Sequence, residues 1–178
     1  MSVEIEAKLK VDSLSEVEQK LPELGAEFVA EQLQTDIFLD DNEDSLITND
    51  QCLRIRRQVV GESEQCFLCY KGGREKSEFK KRQEIETEIK DSKSLLLLLS
   101  ALGYEQKLIV EKNRRLWRLG GCDVTVDKLP LLGDFVEIEG PDVRKIADVQ
   151  TRLGLAALPA IAESYAQMII EKHGRHTT

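Results

Sequence analysis

Glu-Ile-Glu occurs three times in the chain, at residues 4–6, 84–86 and 137–139. The 21 glutamates and 12 isoleucines among 178 residues would give roughly 0.2 copies by chance, so the tripeptide indicates an internal repeat. Each copy precedes a helical segment that stops at Leu-Gly, at residues 24–25, 102–103 and 153–154. We therefore predict strand and helix modules that recur within one domain over residues 1–171, with a disordered tail over 172–178.

Local signals mark where these three helices begin. Ser13 and Glu16 form a capping-box pattern, Asp91 or Ser92 can cap the second helix, and Asp142 can cap the third. The second helix, near residues 93–102, is apolar on almost every side. We therefore expect this helix to be buried against another surface.

Charged and apolar side chains alternate along residues 3–11, which places them on opposite faces of a strand. Further strand candidates lie at 27–40, 52–60, 64–71, 104–119 and 121–129, so that about eight strands are predicted in all. Seven cations fall in phase on these strands: Lys8, Arg54, Arg56, Lys71, Arg82, Lys112 and Arg114. Seven carboxylates do the same: Glu4, Glu6, Glu84, Glu86, Asp127, Glu137 and Glu139.

Two arrangements accommodate these charged faces. In the first, the charged faces point to water and the apolar faces pack on the helices. In the second, an α+β fold, the strands form an eight-stranded antiparallel closed β-barrel whose charged faces line the interior, with helices packed outside. The alternation alone does not choose between the two, although a barrel would offer the Leu-rich helix a surface.

A barrel interior with this mixture of charges suits a small-molecule triphosphate. Mutual ion pairing without a ligand would stabilise the fold poorly, because desolvation offsets much of the Coulomb attraction. Arg and Lys bind phosphate oxygens, and carboxylates are hard ligands for Mg²⁺ or Mn²⁺. The sequence has no G-x-x-x-x-G-K-[ST] loop, H-E-x-x-H motif or G-x-S-x-G elbow, so side chains would have to hold the phosphates.

Composition narrows the partners and the compartment. The formal net charge of −8 argues against nucleic acid as the main partner. The longest apolar run, Leu95–Leu99, is too short to span a membrane, and residues 1–10 do not resemble a secretory leader. We therefore expect a cytoplasmic protein with no membrane partner, and the sequence leaves open whether it forms a homodimer. In that compartment we expect four free thiols, at Cys52, Cys66, Cys69 and Cys122.

The charged motifs, taken in order, resemble those of the CYTH superfamily, which includes class IV adenylyl cyclases and thiamine triphosphatases. Residues 4–8, Glu-Ile-Glu-Ala-Lys, are similar to its E-x-E-x-K signature. Later blocks follow in the family's order: Asp36-Ile-Phe-Leu-Asp40, Leu53-Arg54-Ile-Arg56, Lys71-Gly72, Arg82 to Glu86, Lys112-Asn-Arg114, Asp127, residues 132–139 and Ser164-Tyr165. The first motif alone is weak, whereas the ordered set is specific and covers about residues 3–170.

This resemblance implies a triphosphate tunnel, in which the seven cations bind the phosphates and a divalent metal is held beside them. Glu4, Glu6, Glu137 and Glu139 would be metal ligands or would support them. Glu84, Glu86 and Asp127 are further metal candidates. The family pattern also implies that Lys8, Glu4 and Glu6 are catalytic.

Three activities stay open at this point. Both Glu86 and Glu139 are present, as in the triphosphatases, so we favour hydrolysis of the terminal phosphate of tripolyphosphate, a nucleoside triphosphate or thiamine triphosphate. The first alternative is a class IV adenylyl cyclase that converts ATP to cyclic AMP and pyrophosphate. The second is a non-catalytic triphosphate-binding module, which we favour least because no carboxylate of the pattern is missing.

Three further segments carry expectations. Residues 72–81 join two predicted lumen strands with a run of charges, so they form either a lid over bound triphosphate or a disordered hairpin tip. The acidic stretch 40–50 is expected to be a solvated loop. Trp117 is interpreted as a packing residue on the outside of the barrel.

Overall fold

The strands predicted from alternation form a closed antiparallel barrel. The computed structural model describes residues 2–75 and 79–174. The strands are β1 (Ser2–Lys10), β2 (Glu27–Asp40), β3 (Cys52–Val60), β4 (Ser63–Lys71), β5 (Lys80–Ile89), β6 (Glu105–Leu119), β7 (Cys122–Leu129) and β8 (Gly133–Glu139). They follow one another around the barrel in the order β1-β5-β4-β3-β2-β6-β7-β8, and β8 closes on β1. The α+β barrel prediction is therefore confirmed.

The three Glu-Ile-Glu segments are neighbours in this barrel. β1 pairs with β5 on one side and with β8 on the other, so the three copies lie on adjacent strands. Glu6 lies opposite Glu139 in the β1–β8 pair and opposite Lys80 in the β1–β5 pair. Residues directly opposite each other share a face, so the repeat concentrates glutamates on one wall of the barrel interior.

In the part of the chain that the structure describes, five helices lie outside or across the barrel. They are α1 (Leu14–Glu23), α2 (Ser45–Thr48), α3 (Ser92–Ala101), α4 (Val143–Leu153) and α5 (Tyr165–Gly174). The Asp91 and Asp142 side chains accept hydrogen bonds from the Ser94 and Lys145 backbone N–H groups, as predicted for N-caps. The predicted capping box at Ser13 is wrong. The Ser13 hydroxyl makes no capping hydrogen bond to the helix backbone and lies 2.8 Å from the Ser15 hydroxyl instead.

The apolar faces of the strands are covered by α1 and α4. The largest hydrophobic cluster joins both helices to the outer faces of β1, β7 and β8. Leu9, Leu21, Ile138, Ile146 and Leu153 have no exposed surface there. Burial of these side chains supplies the main driving force for wrapping helices around a polar interior. Trp117 packs on the same cluster, in agreement with its interpretation as an outer packing residue.

The Leu-rich helix α3 is only half buried. Leu95, Leu96 and Leu99 pack over the outer face of β3 and β4. In contrast, Leu97 and Leu102 are 73% and 66% exposed. The expectation that this helix is buried against another surface is confirmed for one of its sides, because one barrel face can cover only one side of a helix.

The remaining segments also differ in part from expectation. The stretch after β2 contains the short helix α2, and the Asp40 carboxylate is buried and accepts hydrogen bonds from the Asp41, Leu46 and Ile47 N–H groups. α5 extends to Gly174, so residues 172–174 do not belong to a tail. Residues 175–178 of the predicted tail and residues 76–78 of the predicted lid lie outside the described residues. Lys80 and Lys81, which the lid prediction included, belong to β5.

All four cysteines are free thiols. Among residues 2–75 and 79–174, no helix combines the length and the apolar character needed to cross a bilayer.

Candidate functional site in the barrel lumen

A charged cavity of about 410 Å³ fills the barrel and is called the lumen below. Among the described residues, eight carboxylates and eight Lys or Arg side chains line it, contributed by all eight strands. Thirteen of the fourteen predicted site residues are among them: Glu4, Glu6, Lys8, Arg54, Arg56, Lys71, Arg82, Glu84, Glu86, Lys112, Arg114, Glu137 and Glu139. The fourteenth, Asp127, is fully buried in the wall behind them. Which of these groups bind phosphate or metal stays a prediction.

The Asp36 carboxylate holds two of the arginines in place. It accepts from Arg56 Nε at 2.7 Å and from Arg56 Nη2 at 2.9 Å, and Arg54 Nη1 lies 3.3 Å away. Burial favours the neutral acid, but the Arg54 and Arg56 guanidinium groups outweigh it and hold the pKa of Asp36 well below its ordinary value. Because a single carboxylate serves two guanidinium groups, this wall of the lumen keeps a net positive charge.

Lys8 connects the lumen to the end of the barrel where α5 lies. Its ammonium is 3.4 Å from Glu137 and donates to the Glu163 backbone carbonyl at 3.0 Å. The same ammonium lies 4.2 Å from the centre of the Tyr165 ring. These contacts fix the charge with only 2% of the side chain exposed, so Lys8 is preorganised.

Asp127 acts on its neighbours instead of facing the lumen. Its two oxygens accept from Arg114 Nε and Nη2, and the Tyr165 hydroxyl donates to it at 3.0 Å. Arg114 also donates to Glu137. In this arrangement Asp127 fits the role of a residue that orients Arg114, and its predicted role as a metal ligand has no lumen-facing oxygen to support it.

Arg82 and Glu4 each have a buried atom in the lumen that is not hydrogen-bonded to the described residues. The Arg82 Nε atom is 3.8 Å from Glu4 Oε2, which is too long for a hydrogen bond. Within the described part of the chain, both of these buried atoms lack a hydrogen-bond partner, as does Arg54 Nε. The other Glu4 oxygen accepts from Lys71 at 2.5 Å. Buried donors and acceptors without partners cost folding free energy. A ligand that bonds to these atoms would therefore bind favourably in this part of the lumen.

Glutamates gather on the wall formed by the three repeats. Burial, together with the charges of Glu4, Glu6 and Glu84, raises the pKa of Glu139 to about 7, although Lys71 opposes this. Glu6 differs: against the effect of burial, the Lys80 ammonium 2.5 Å away lowers its pKa. A divalent cation would relieve the repulsion among these carboxylates.

A second set of donor atoms lies beside this wall. One ligand atom from each of Cys69, Glu84 and Glu86 falls within 4.8 Å of the others. Cys69 Sγ donates to Glu84 at 3.0 Å, and burial raises the pKa of this thiol to about 12. The two glutamates were predicted as metal candidates, whereas the cysteine was not.

Several lumen residues were missed by the sequence analysis. Asp36 and Tyr165 stand inside the family-like blocks, but neither was given a site role. Lys80 was assigned to a loop, although alternation with Arg82 and Glu84 would have placed it on the inner face of β5. Gln32, Gln34 and Gln58 also line the lumen. They are in phase with Asp36 on β2 and with the two arginines on β3, so alternation would have placed them on the same face.

The raised pKa of Glu139 makes metal-free stability depend on pH. The folded pKa lies above the ordinary value of 4.5, so the favourable contribution is present at low pH and is lost as pH rises through about 7. We expect the melting temperature of the metal-free protein to fall between pH 5 and 7, and Glu139→Gln to reduce this fall. Glu111→Gln, an exposed carboxylate on β6, is the control. If the melting temperature of Glu139→Gln depended on pH as steeply as that of the wild type, the raised pKa of Glu139 would be contradicted.

Comparisons with known proteins agree with this architecture. The family model described as CYTH domain matches residues 2–155. The protein called "Putative adenylate cyclase MJ0240" from Methanocaldococcus jannaschii is 28% identical over 150 residues, covering 84% of this chain and 81% of that protein. The structure of the PH1819 protein from Pyrococcus horikoshii OT3 superposes with a TM-score of 0.82 at 29% identity, covering 95% of this chain and 99% of that one.

A more distant structure shares the fold alone. The Hippeastrum protein HpAC1, described as a putative adenylyl cyclase with a dominant triphosphatase activity, has a TM-score of 0.70 at 18% identity, covering 95% of this chain and 96% of that chain.

Proposed function

Because the chain belongs to the CYTH domain family, we propose that it is a divalent-metal-dependent triphosphatase. In this proposal the lumen binds a triphosphate together with Mg²⁺ or Mn²⁺, and water attacks the terminal phosphorus. The bond between that phosphorus and its bridging oxygen breaks, a lumen carboxylate accepts the proton from water, and orthophosphate and a diphosphate leave.

The observation that carries the proposal is the set of unsatisfied atoms in the lumen. Arg82 Nε and Arg54 Nε are buried donors, and Glu4 Oε2 is a buried acceptor, all without partners among the described residues. Phosphate oxygens would satisfy the donors, and a metal ion would satisfy the acceptor. A lumen that were only a salt-bridged core would gain by pairing these atoms with each other.

The residues suited to the metal are those on the glutamate wall. Glu4 has a free oxygen, while Glu6, Glu84, Glu86 and Glu139 supply further carboxylates nearby. Bound there, the ion would neutralise charge on the phosphates and polarise the phosphorus. The chain's own cations would then stabilise charge that develops on the phosphate oxygens, with Lys8 and Arg114 already fixed by their neighbours.

Adenylyl cyclase activity is the second candidate, and the names of relatives favour it. Besides the Methanocaldococcus protein, the Adenylate cyclase CyaB of Aeromonas hydrophila is 35% identical over 86 residues, which is 43% of this chain. A cyclase would direct a ribose hydroxyl at the first phosphorus and release pyrophosphate. We favour hydrolysis because the lumen carries carboxylates on β5 and β8 beyond the Glu4 and Glu6 pair.

Product analysis tests the proposal. The protein is incubated with Mg²⁺ or Mn²⁺ and with tripolyphosphate, ATP or thiamine triphosphate, and orthophosphate, pyrophosphate and cyclic AMP are resolved. Orthophosphate that depends on the metal is the expected product. Formation of cyclic AMP and pyrophosphate would instead identify the protein as an adenylyl cyclase. Binding of a triphosphate without any product would identify it as a non-catalytic binding module.

The protein should also take up a proton near neutral pH when it binds tripolyphosphate. Burial and the Arg114 charge lower the pKa of Lys112 to about 7, so this amine is largely neutral at pH 8 in the free protein. A bound phosphate favours the ammonium and restores the charge. Calorimetry of tripolyphosphate binding in buffers of different ionisation enthalpy should therefore show net proton uptake at pH 8. Lys112→Met should reduce it and Lys128→Met, on the outer face of β7, should not; equal uptake in both variants would contradict this.

A further inference from the structure

Lys80 is a lumen cation that belongs to none of the family-like motifs. It lies on β5 directly opposite Glu6 of β1, and its Nζ atom is 2.5 Å from Glu6 Oε1. The two side chains are only 6% and 8% exposed. Because an ion pair shielded in this way is screened little by the solvent, Lys80 controls the charge that Glu6 presents to the lumen.

The two glutamates of the first repeat are held differently. Lys71 is 2.5 Å from Glu4 Oε1 and 3.2 Å from Glu84, so its charge is shared between two carboxylates. Glu4 keeps its Oε2 atom without a hydrogen-bond partner in the described chain. Lys80, in contrast, forms no ion pair other than that with Glu6 among residues 2–75 and 79–174. A metal ion can therefore approach Glu4 directly, whereas at Glu6 it meets an ammonium group.

An ammonium on Glu6 opposes a divalent cation on the glutamate wall. Both cations are attracted to the same carboxylate oxygens, and two positive charges a few ångströms apart repel strongly in a buried site. Mg²⁺ and Mn²⁺ also need oxygen ligands that are free to point at them. In the free protein Lys80 therefore competes with the metal for Glu6.

A bound triphosphate would offer Lys80 a second partner. The next inward-facing residue on β5 is Arg82, whose Nε has no hydrogen-bond partner among the described residues. Burial, together with the Lys8 and Arg82 charges, lowers the pKa of Lys80 to about 8, although Glu6 opposes this. Lys80 thus lies within the cluster of cations predicted to bind phosphate. Because its four-carbon stem is flexible, the ammonium can turn from Glu6 to a phosphate oxygen.

From these contacts we infer that Lys80 couples metal binding to triphosphate binding. It holds Glu6 in the free protein and transfers to the triphosphate, which leaves Glu6 to the metal, so Lys80 is a positioning residue. The inference rests on the proposed function only in that the lumen binds a triphosphate and a divalent metal, and it does not depend on which bond is broken. Metal binding is then weak in the free protein and tight in the complex.

Binding of Mn²⁺ to the free protein tests this coupling. Unbound Mn²⁺ is quantified by electron paramagnetic resonance at pH 7 for the wild type, Lys80→Met and Lys80→Gln. Loss of the ammonium should make Mn²⁺ bind at least about 10-fold more tightly, a gain that damage to the fold would not produce. Lys81→Met is the matched control, because Lys81 lies on the other face of β5 and pairs with Glu75. Thermal melts identify a variant that fails to fold, and the other Lys80 variant then carries the test.

The coupling itself is measured by calorimetry with β,γ-methylene ATP, which is not cleaved at its terminal bond. The factor by which saturating Mn²⁺ raises the affinity for this analogue should be at least about 10-fold smaller in Lys80→Met than in the wild type. Complexes of Mn²⁺ with the free analogue are common to both proteins and cancel in this comparison.

Failure of the inference and failure of the proposed function give different results. Mn²⁺ binding in the Lys80 variants that is equal to or weaker than in the wild type, or an unchanged coupling factor, would overturn the role of Lys80 while hydrolysis stands. Absence of Mn²⁺ binding in the wild type and the variants alike would overturn it as well. If no triphosphate yields orthophosphate, the proposed function fails, and the Mn²⁺ affinities still decide the role of Lys80.

Discussion

Replacing Lys8 with alanine is expected to lower kcat/KM for triphosphate hydrolysis by about 100- to 1,000-fold, the range for loss of one preorganised charge in an active site. The ammonium is almost completely buried and is fixed by Glu137, the Glu163 carbonyl and the Tyr165 ring. No other cation makes this set of contacts among the described residues, so a neighbour cannot take its place. Steady-state kinetics with the metal in excess measures the loss.

The same substitution should leave the fold intact. Glu137 keeps its bond from Arg114 when Lys8 is removed, so the variant does not create an unpaired buried carboxylate. A change in melting temperature of about 5 °C or less is expected, which corresponds to at most about 1–2.5 kcal/mol. Lys128→Ala removes an exposed charge from β7 and should retain full activity. Unfolding of Lys8→Ala would instead indicate a structural salt bridge.

Replacing Glu4 with glutamine should cause a loss of similar size, with a different signature. The substitution keeps the shape of the side chain but removes the anionic oxygen that lacks a partner and is suited to a metal. We expect kcat/KM to fall by about 100-fold or more at a fixed metal concentration. The Mn²⁺ concentration that gives half-maximal activity should rise at least 10-fold. In contrast, the loss of kcat/KM in Lys8→Ala should not depend on the metal concentration.

Glu111→Gln is the matched control for this prediction, because Glu111 is an exposed carboxylate on β6 that does not line the lumen. Lys71 keeps Glu84 at 3.2 Å when Glu4 is neutralised, so the melting temperature should change little. A uniform loss of kcat with an unchanged metal requirement would contradict the assignment of Glu4 to the metal.

The barrel and its charged lining could be predicted because alternation is a local property. A residue's phase on a strand determines which face it occupies, so Lys8, Arg56 and Glu137 were assigned to one surface before their pairing partners were known. Whether that surface was inside or outside depended on closure between β1 and β8. Closure is a contact between the first and the last strand, and alternation within a single strand does not specify it.

The details of the site depended on contacts between strands distant in sequence. Asp127 has the correct phase for the lumen, yet Arg114 and Tyr165 surround its carboxylate and keep it in the wall. The ion pairs of Asp36 with Arg54 and Arg56 could not be predicted because the sequence does not specify the register between β2 and β3. A second cavity of about 340 Å³, lined by Leu46, Ile47 and Ile170 among others, was missed for the same reason, since it lies where residues 40–50 approach α5.

A crystal structure of the protein with Mn²⁺ and tripolyphosphate would locate both the anion and the metal. We expect phosphate oxygens within hydrogen-bond distance of Arg82 Nε and Lys8 Nζ inside the barrel, and an anomalous Mn²⁺ peak within coordination distance of Glu4 Oε2. Phosphate bound only on the outer surface, with Arg82 and Glu4 still facing each other without a ligand, would contradict triphosphate and metal binding in the lumen.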